Sequence, residues 1–277
     1  MKKQPSISIF FPFLNDWGTV GSLVALAIST TSRLTDDWEI IIVNDGSKKE
    51  DREALEMIVK IMNSKRHSGL TGYQLVPVLS RISTSDGDSG LADARQNDNK
   101  GRVKIIDHEK NRGYGGALRS GFALSTKDLI FYTDCDAQYD PRELEKLYKA
   151  LKPDVDLVNG YKIKRSDPLH RIIVGRLYHY LVKFAFNLPI RDTDCDFRLI
   201  RRKVFNKVKL FENTGTICVE LVKKIDYWGG QIVEVPVHHY WRTSGKSQFF
   251  NFKRLATTGI NLLKLWWKLM VRKDYYN

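Results

Sequence analysis

The stretch LIFYTDCDAQ, Leu129 to Gln138, decides how the chain is read. Leu129 to Tyr132 is an apolar run rich in β-formers, the pattern of a strand buried on both faces. In an extended chain residues i and i+2 point the same way, so Asp134 and Asp136 project together and Cys135 projects to the other side. Two carboxylates held side by side repel each other, and folding gains nothing from that. A divalent cation, Mg2+ or Mn2+, removes the repulsion. Both ions prefer oxygen ligands, take one or two carboxylates, and complete their shells with water and phosphate oxygens. Gln138, two residues on, adds a neutral oxygen. The expected metal ligands are therefore Asp134, Asp136 and Gln138. Asp-x-Asp is also a common polar strand end leading into a turn, so this reading needs support from the rest of the chain.

Working outward, Ser6 to Phe11 reads as a strand ending at Pro12, followed by a helix over Val20 to Thr30. Glu39 to Val43 is a second strand, closed by Asn44-Asp45-Gly46-Ser47, and Lys49 to Met62 is helical. Val103 to Ile106 is a third strand, followed by the glycine-rich NRGYGGALRSG and a helix through Leu124. Apolar strands alternating with helices predict an α/β fold: a Rossmann-like, mostly parallel sheet with helices on both faces. In such sheets ligands bind beyond the carboxyl ends of the strands. Pro12 to Asp16, Asp45, Asn111 to Gly113 and Asp134 to Asp136 all fall there. Asp140, Pro141 and Glu143 have the spacing of an N-cap, an N1 proline and a capping box, which assigns Asp140 to structure. Two nucleotide motifs fail. A dinucleotide fingerprint needs a third glycine where Leu118 stands, and a P-loop ending at Gly245-Lys246-Ser247 needs glycine where Tyr240 stands.

With 277 residues and 42% apolar content, the chain can bury a sizeable core as one large domain or a domain with an appendage. Its net charge of +13 predicts an anionic partner. No zinc-finger spacing or RNA-recognition aromatic motif is present, so nucleic acid is not the expected one. Cys135, Cys195 and Cys218 form neither a disulfide framework nor a zinc site, which suits a reducing compartment. No uncharged apolar run approaches the ~20 residues needed to cross a bilayer. The expected location is cytoplasmic, peripheral on the cytoplasmic face of a membrane. Three stretches are expected: a core over 1–165 with a polar insertion at 64–102, a second half of the same domain over 166–250, and an amphipathic helix over 251–277.

Taken together, Pro12-Phe-Leu-Asn15-Asp16, Asn44-Asp45-Gly46-Ser47, Asn111-Arg-Gly113 and Asp134-Cys-Asp136-Ala-Gln138 resemble the successive motifs of family 2 glycosyltransferases with the GT-A fold. Arg191-Asp192-Thr-Asp-Cys-Asp196-Phe-Arg198, and Val235-Pro-Val through Arg242-Thr-Ser-Gly-Lys246-Ser247, look like the acceptor half of the dolichyl- and polyprenyl-phosphate sugar synthases. The resemblance implies a UDP- or GDP-linked sugar donor. Asp45 would bond its nucleobase, Pro12, Asn15 and Asp16 would line the nucleoside pocket, and Asn111, Gly113 and Asp134 would complete the donor site. Asp136, Asp192 and Arg198 would be catalytic. Arg191, Arg202, Arg242, Lys246 and Ser247 would hold an acceptor phosphate. The family usually carries Glu where Asp16 stands and Gly where Asp196 stands.

Arginine binds phosphate bidentately, and a phosphate monoester, with its second pKa near about 6, is already ionised at neutral pH and needs little help from a base. Asp192 is then expected to position the arginines or the sugar. For a hydroxyl acceptor, Asp192 or Asp194 would be the base. Pro168 to Asn187 reads as an amphipathic helix. In the last helix, Phe252 to Lys273, Leu255, Gly259, Leu262, Trp266 and Leu269 form the apolar side, widened by Leu263, Trp267 and Met270. Lys264, Lys268 and Arg272 run up the other side, which describes a helix lying on an anionic membrane surface. The competing reading is a core-packed or dimer-forming helix, so a homo-oligomer is left open. A non-catalytic basic module that binds lipid or nucleic acid is the alternative of another class. His238 and His239 are assigned to packing or hydrogen bonding.

Overall fold

In the computed structural model, which describes residues 4–64, 102–165, 169–242 and 252–276, the apolar runs of the first half form four strands. They are β1 (Ile7–Phe13), β2 (Trp38–Asn44), β3 (Val103–Asp107) and β4 (Leu129–Thr133). The second half adds β5 (Val155–Arg165), β6 (Phe197–Arg201) and β7 (Gln231–His239) to the same sheet, in the order β3-β2-β1-β4-β6-β5-β7. Only β6 runs against its neighbours; the other pairings are parallel. The carboxyl ends of the parallel strands therefore share one edge with the amino end of β6. The insertion expected at 64–102 falls, apart from its two end residues, outside the described residues.

Side chains alternate across the sheet, and the two faces bury separate cores. Ile7, Ile9 and Phe11 of β1, Ile40 and Ile42 of β2 and Phe131 of β4 face helices α1 (Trp17–Leu34), α2 (Lys49–Ser64) and, after a helix α3 on the other side, α4 (Leu144–Ala150). Phe10, Ile41, Val43 and Tyr132 face α3 (Tyr114–Leu124), α5 (Leu169–Phe186), α6 (Ile217–Tyr227) and α7 (Phe252–Trp266).

Four local expectations change. Strand β1 runs through Pro12 rather than stopping there. Its pairing with β4 ends at Phe10, while β2 continues alongside to Phe13. A residue without an N–H is tolerated where one flank of the strand has already lost its neighbour. Asp140 does cap, its Oδ1 accepting from Arg142 N at 2.9 Å, but the first turn is a 3-10 helix. Glu143 does not close a capping box; it accepts from His238 N at 2.9 Å and meets His238 Nδ1 at 2.5 Å, tying this turn to β7.

The fourth change concerns α7. Much of the side read as lipid-facing is core: Leu269 is buried beside Leu265, and Leu262, Trp266 and Met270 pack against the same cluster, while Leu263 and Trp267 stay exposed. Trp266 Nε1 donates to Ala185 O of α5 at 2.9 Å. What α7 and the π-turn after it expose is a narrower stripe, Ile260, Leu263, Trp267 and Val271. No helix among the described residues is long and apolar enough to cross a membrane.

Candidate active site

The common edge carries a chain of loops that brace one another. Asn15, in the left-handed region at φ 58°, donates its N–H to Ser47 Oγ at 3.0 Å and accepts Lys48 N at 2.9 Å through Oδ1. Asn111 donates to Asp45 O at 3.0 Å and accepts Gly113 N at 3.0 Å. Both asparagines spend their amides on backbone, so they shape the site. Asp45 is buried, and its Oδ1 accepts Arg112 N at 2.8 Å and lies 2.7 Å from His108 Nδ1. His108 Nε2 in turn meets Ser120 Oγ at 2.8 Å. No partner for Asp45 Oδ2 lies among the described residues, so that oxygen remains for a ligand. His108 escaped the sequence reading because it lies just ahead of the Asn111-Arg-Gly113 motif and outside it; its place at a strand's carboxyl end was the available signal. Pro12 lies buried in β1 beside these loops.

At the end of β4, Asp134 Oδ1 accepts the Tyr114 hydroxyl at 2.8 Å. Asp136 Oδ1 accepts Gln138 N at 3.0 Å, and its Oδ2 is paired with Arg242 Nη2 at 2.6 Å. Ala137, between them, sits in the left-handed region at φ 59°, a conformation that costs a non-glycine residue about 1 kcal/mol. Thr133 of β4 pairs with Phe197 of β6, so the next step of the antiparallel register sets Asp134 opposite Asp196. Like charges directly opposed across strands destabilise a sheet. Burial pushes the Asp134 carboxyl well above the usual carboxylate range, the charges of Asp196 and Asp136 push it further, and Tyr114 and Arg242 pull it back. Burial also raises Asp136, against the pull of Arg242. Asp16 is lifted to about 6, by burial first, with Arg242 lowering it and Asp136 raising it. Three carboxylates, Asp16, Asp134 and Asp136, thus share one partly exposed guanidinium. The donor set is hard oxygen, and a cation already sits on Asp136, so the site suits a divalent ion. No three acidic, histidine or cysteine side chains among the described residues converge on one point, which leaves the rest of an ion's shell to a ligand and water. Gln138, expected as a third ligand, turns its side-chain nitrogen to Tyr240 O at 3.3 Å and accepts Tyr240 N on its backbone carbonyl at 2.9 Å. Those two bonds bring the end of β7, and with it Arg242, over Asp136.

The acceptor side divides. Asp192 is buried and accepts Lys162 N and Asp194 N, each at 3.1 Å, with Lys162 Nζ 3.7 Å away. It organises the loop before β6. Arg198, expected to act on substrate, is fully buried instead: Nε reaches Asn159 Oδ1 at 2.7 Å, Nη1 the Tyr132 hydroxyl at 2.9 Å and Nη2 Thr193 O at 2.7 Å. It is a positioning residue that clamps the 192–196 loop to β4. Arg202 is on the wrong edge. Strand β6 runs antiparallel, so Arg201 pairs with Leu129, and the chain from there to Asp134 rises about 3.3 Å per residue away from it. Arg191 is exposed, its N–H donating to Glu234 Oε1 at 2.8 Å, and its guanidinium stacks over the Tyr161 ring. Lys246 and Ser247 lie outside the described residues.

The glycosyl transferase family 2 model matches residues 82–209 of this chain. The family model thus agrees with the resemblance carried by the motifs. The undecaprenyl-phosphate 4-deoxy-4-formamido-L-arabinose transferase of Yersinia enterocolitica is 23% identical over 274 residues, covering 95% of this chain and 72% of that one. Glycosyltransferase AglD of Haloferax volcanii is 22% identical over 275 residues, but the match spans only 38% of its length. Among solved structures, glucosyl-3-phosphoglycerate synthase of Mycobacterium tuberculosis superposes with a TM-score of 0.62 at 14% identity, over 95% of this chain and 79% of that one. A complex of the same enzyme with Mn2+, UDP and glucosyl-3-phosphoglycerate superposes at 0.60 and 15% identity, over 97% and 80%. The shared architecture is the GT-A fold.

The glycine-rich stretch serves packing. A Cβ on Gly113, at φ 82°, would fall 2.4 Å from Asn213 O, and one on Gly115 would fall 2.5 Å from Glu212 O. Gly115 N donates to Asn213 O at 3.0 Å. The 211–213 loop is held in turn by buried Glu220, which accepts Phe211 N and Glu212 N, each at 3.0 Å, and pairs with Lys224 at 3.1 Å. Gly113, expected at the donor, therefore admits a neighbouring loop. Gly115→Ala should destabilise the domain by about 2 kcal/mol, the cost of overpacking against backbone that must move. Urea unfolding would show the midpoint unchanged if the contact is unimportant.

Proposed function

We propose that this domain transfers a sugar, with inversion, from a nucleotide diphosphate to a polyprenyl phosphate at a membrane surface. The observation that carries this reading is the acidic pair Asp134 and Asp136 at the sheet's carboxyl edge, crowded by Asp16 and Asp196 and countered by the charge of Arg242. The relatives named for undecaprenyl-phosphate transfer support the acceptor class, and the Mn2+ and UDP of the structural relative support a cation-bound diphosphate donor. Asp134 and Asp136 would hold Mg2+ or Mn2+, which would neutralise charge building on the leaving diphosphate. Asp45 Oδ2 would accept an N–H from the nucleobase, while His108 and Arg112 fix its other oxygen.

Asp192 supports a phosphate acceptor over a hydroxyl one. Both its oxygens are occupied by N–H donors, which suits an anchor and not a base. The attacking oxygen would be one already ionised. The test is to offer labelled nucleotide sugars, UDP- and GDP-linked, to the purified protein with extracted membranes and Mn2+. Label should enter the organic phase, be released by mild acid, and stay aqueous when EDTA is present. Label confined to the aqueous phase throughout would end the lipid reading.

Docking would use the exposed apolar stripes of α5 and α7. Leu177, Tyr180, Leu181 and Phe184 of α5 lie outward, Phe184 at 91% exposure, and the Trp266 bond to Ala185 sets them beside Leu263 and Trp267. Lys264, Lys268 and Arg272 line an adjoining cleft suited to anionic headgroups. Serine at Leu181 and Phe184 together should lower sedimentation with anionic vesicles about tenfold without changing the melting temperature, because neither side chain packs inside.

A further inference from the structure

We propose that Arg242 is an exchanging counter-charge: it occupies Asp136 while no metal is bound, and moves to a phosphate oxygen of the donor when a divalent cation takes that carboxylate. This rests on the metal reading above and adds a role for Arg242 that differs from holding the acceptor.

Asp136 has two oxygens, and both are engaged. Oδ1 accepts Gln138 N at 3.0 Å and Oδ2 carries Arg242 at 2.6 Å. A cation ligated through Oδ2 must compete with the guanidinium. Arg242 makes no other hydrogen bond or ion pair among the described residues, and its field reaches Asp16 and Asp134 as well as Asp136. Once a doubly charged ion stands there, the guanidinium has lost its partner and faces a like charge. The anion that accompanies the ion is a diphosphate, which arginine binds in a forked geometry. Movement is local. Two residues upstream, Tyr240 is pinned to Gln138 by the pair of bonds at 2.9 and 3.3 Å, while the Arg242 side chain is 30% exposed and swings from that anchor.

The exchange predicts a reversal of sign that a purely structural arginine would not produce. Mn2+ binding to the full chain would be followed by the electron paramagnetic resonance of free Mn2+, for the parent, Arg242→Gln and Arg242→Lys. Without nucleotide, Arg242→Gln should bind Mn2+ about 10-fold more tightly, because its competitor is gone. With UDP or GDP present the order should invert, the variant binding at least about 5-fold more weakly than the parent. Arg242→Lys should fall between the two in both conditions, and it carries the comparison if the glutamine variant does not fold. No Mn2+ binding by the parent in either condition would remove the metal reading itself. Parent-like or weaker binding by Arg242→Gln without nucleotide, with the parent binding normally, would overturn the exchange alone.

Discussion

An Asp136→Ala enzyme should lose metal-dependent transfer by on the order of 10³-fold, the scale seen when a charged group that stabilises a developing anion is removed. The loss should come without unfolding. Asp136 is one of three carboxylates within reach of one guanidinium, and burial pushes it towards its neutral form, so it is held there at a cost to the fold. Asp136→Asn, which keeps the shape and removes the charge, should melt at or slightly above the parent temperature while remaining as inactive as the alanine variant. Rates with and without added Mn2+ after EDTA treatment, beside a melting curve, decide the matter. Parent-like metal-dependent turnover in either variant would refute the assignment of this carboxylate.

Arg198→Met should do the opposite: it should unfold the protein first and affect chemistry only through that. The guanidinium is 0% exposed and satisfies Asn159 Oδ1, the Tyr132 hydroxyl and Thr193 O at once. Methionine fills the volume but donates nothing. Stranding buried acceptors costs about 1–3 kcal/mol each, and breaking a buried charged network typically costs 3–5 kcal/mol in all, taken here as about 4 kcal/mol. At ~2–4 °C per kcal/mol for a domain of this size, the melting temperature should fall by on the order of 10 °C. Lysine should recover little, because a point charge on a flexible stem cannot serve three acceptors in three directions. Arg202→Gln is the contrasting case. Arg202 is exposed on the far edge of the sheet, so its loss should leave the melting curve within about 0.5 kcal/mol of the parent. A parent-like melt for Arg198→Met would show that the clamp is dispensable.

Local pattern carried much of the reading. Strands β1 to β4 were legible because each is a short apolar run bounded by polar turns, and their shared edge followed from the parallel alternation of strand and helix. Asp134 and Asp136 stood out as an acidic pair directly after a strand, and the fold keeps them within reach of each other's charge. Arg198 was not, since a buried arginine and a substrate-binding arginine look alike until their partners are known. The last helix misled for a related reason: a wide apolar face describes either lipid or core, and only the packing of Leu265 and Leu269 and the bond from Trp266 to Ala185 separate the two.

By itself the sequence determined the α/β alternation, the edge on which polar loops gather and the acidic pair at the end of β4, because these depend on neighbours a few residues apart. Only the tertiary structure decided that β6 runs backwards. That one reversal sets Asp196 against Asp134, sends Arg202 to the far edge and lets the exit of β7 carry Arg242 onto Asp136. Strand direction and pairing depend on contacts between residues dozens of positions apart, and the charge of each residue alone says nothing about which other charge it will meet.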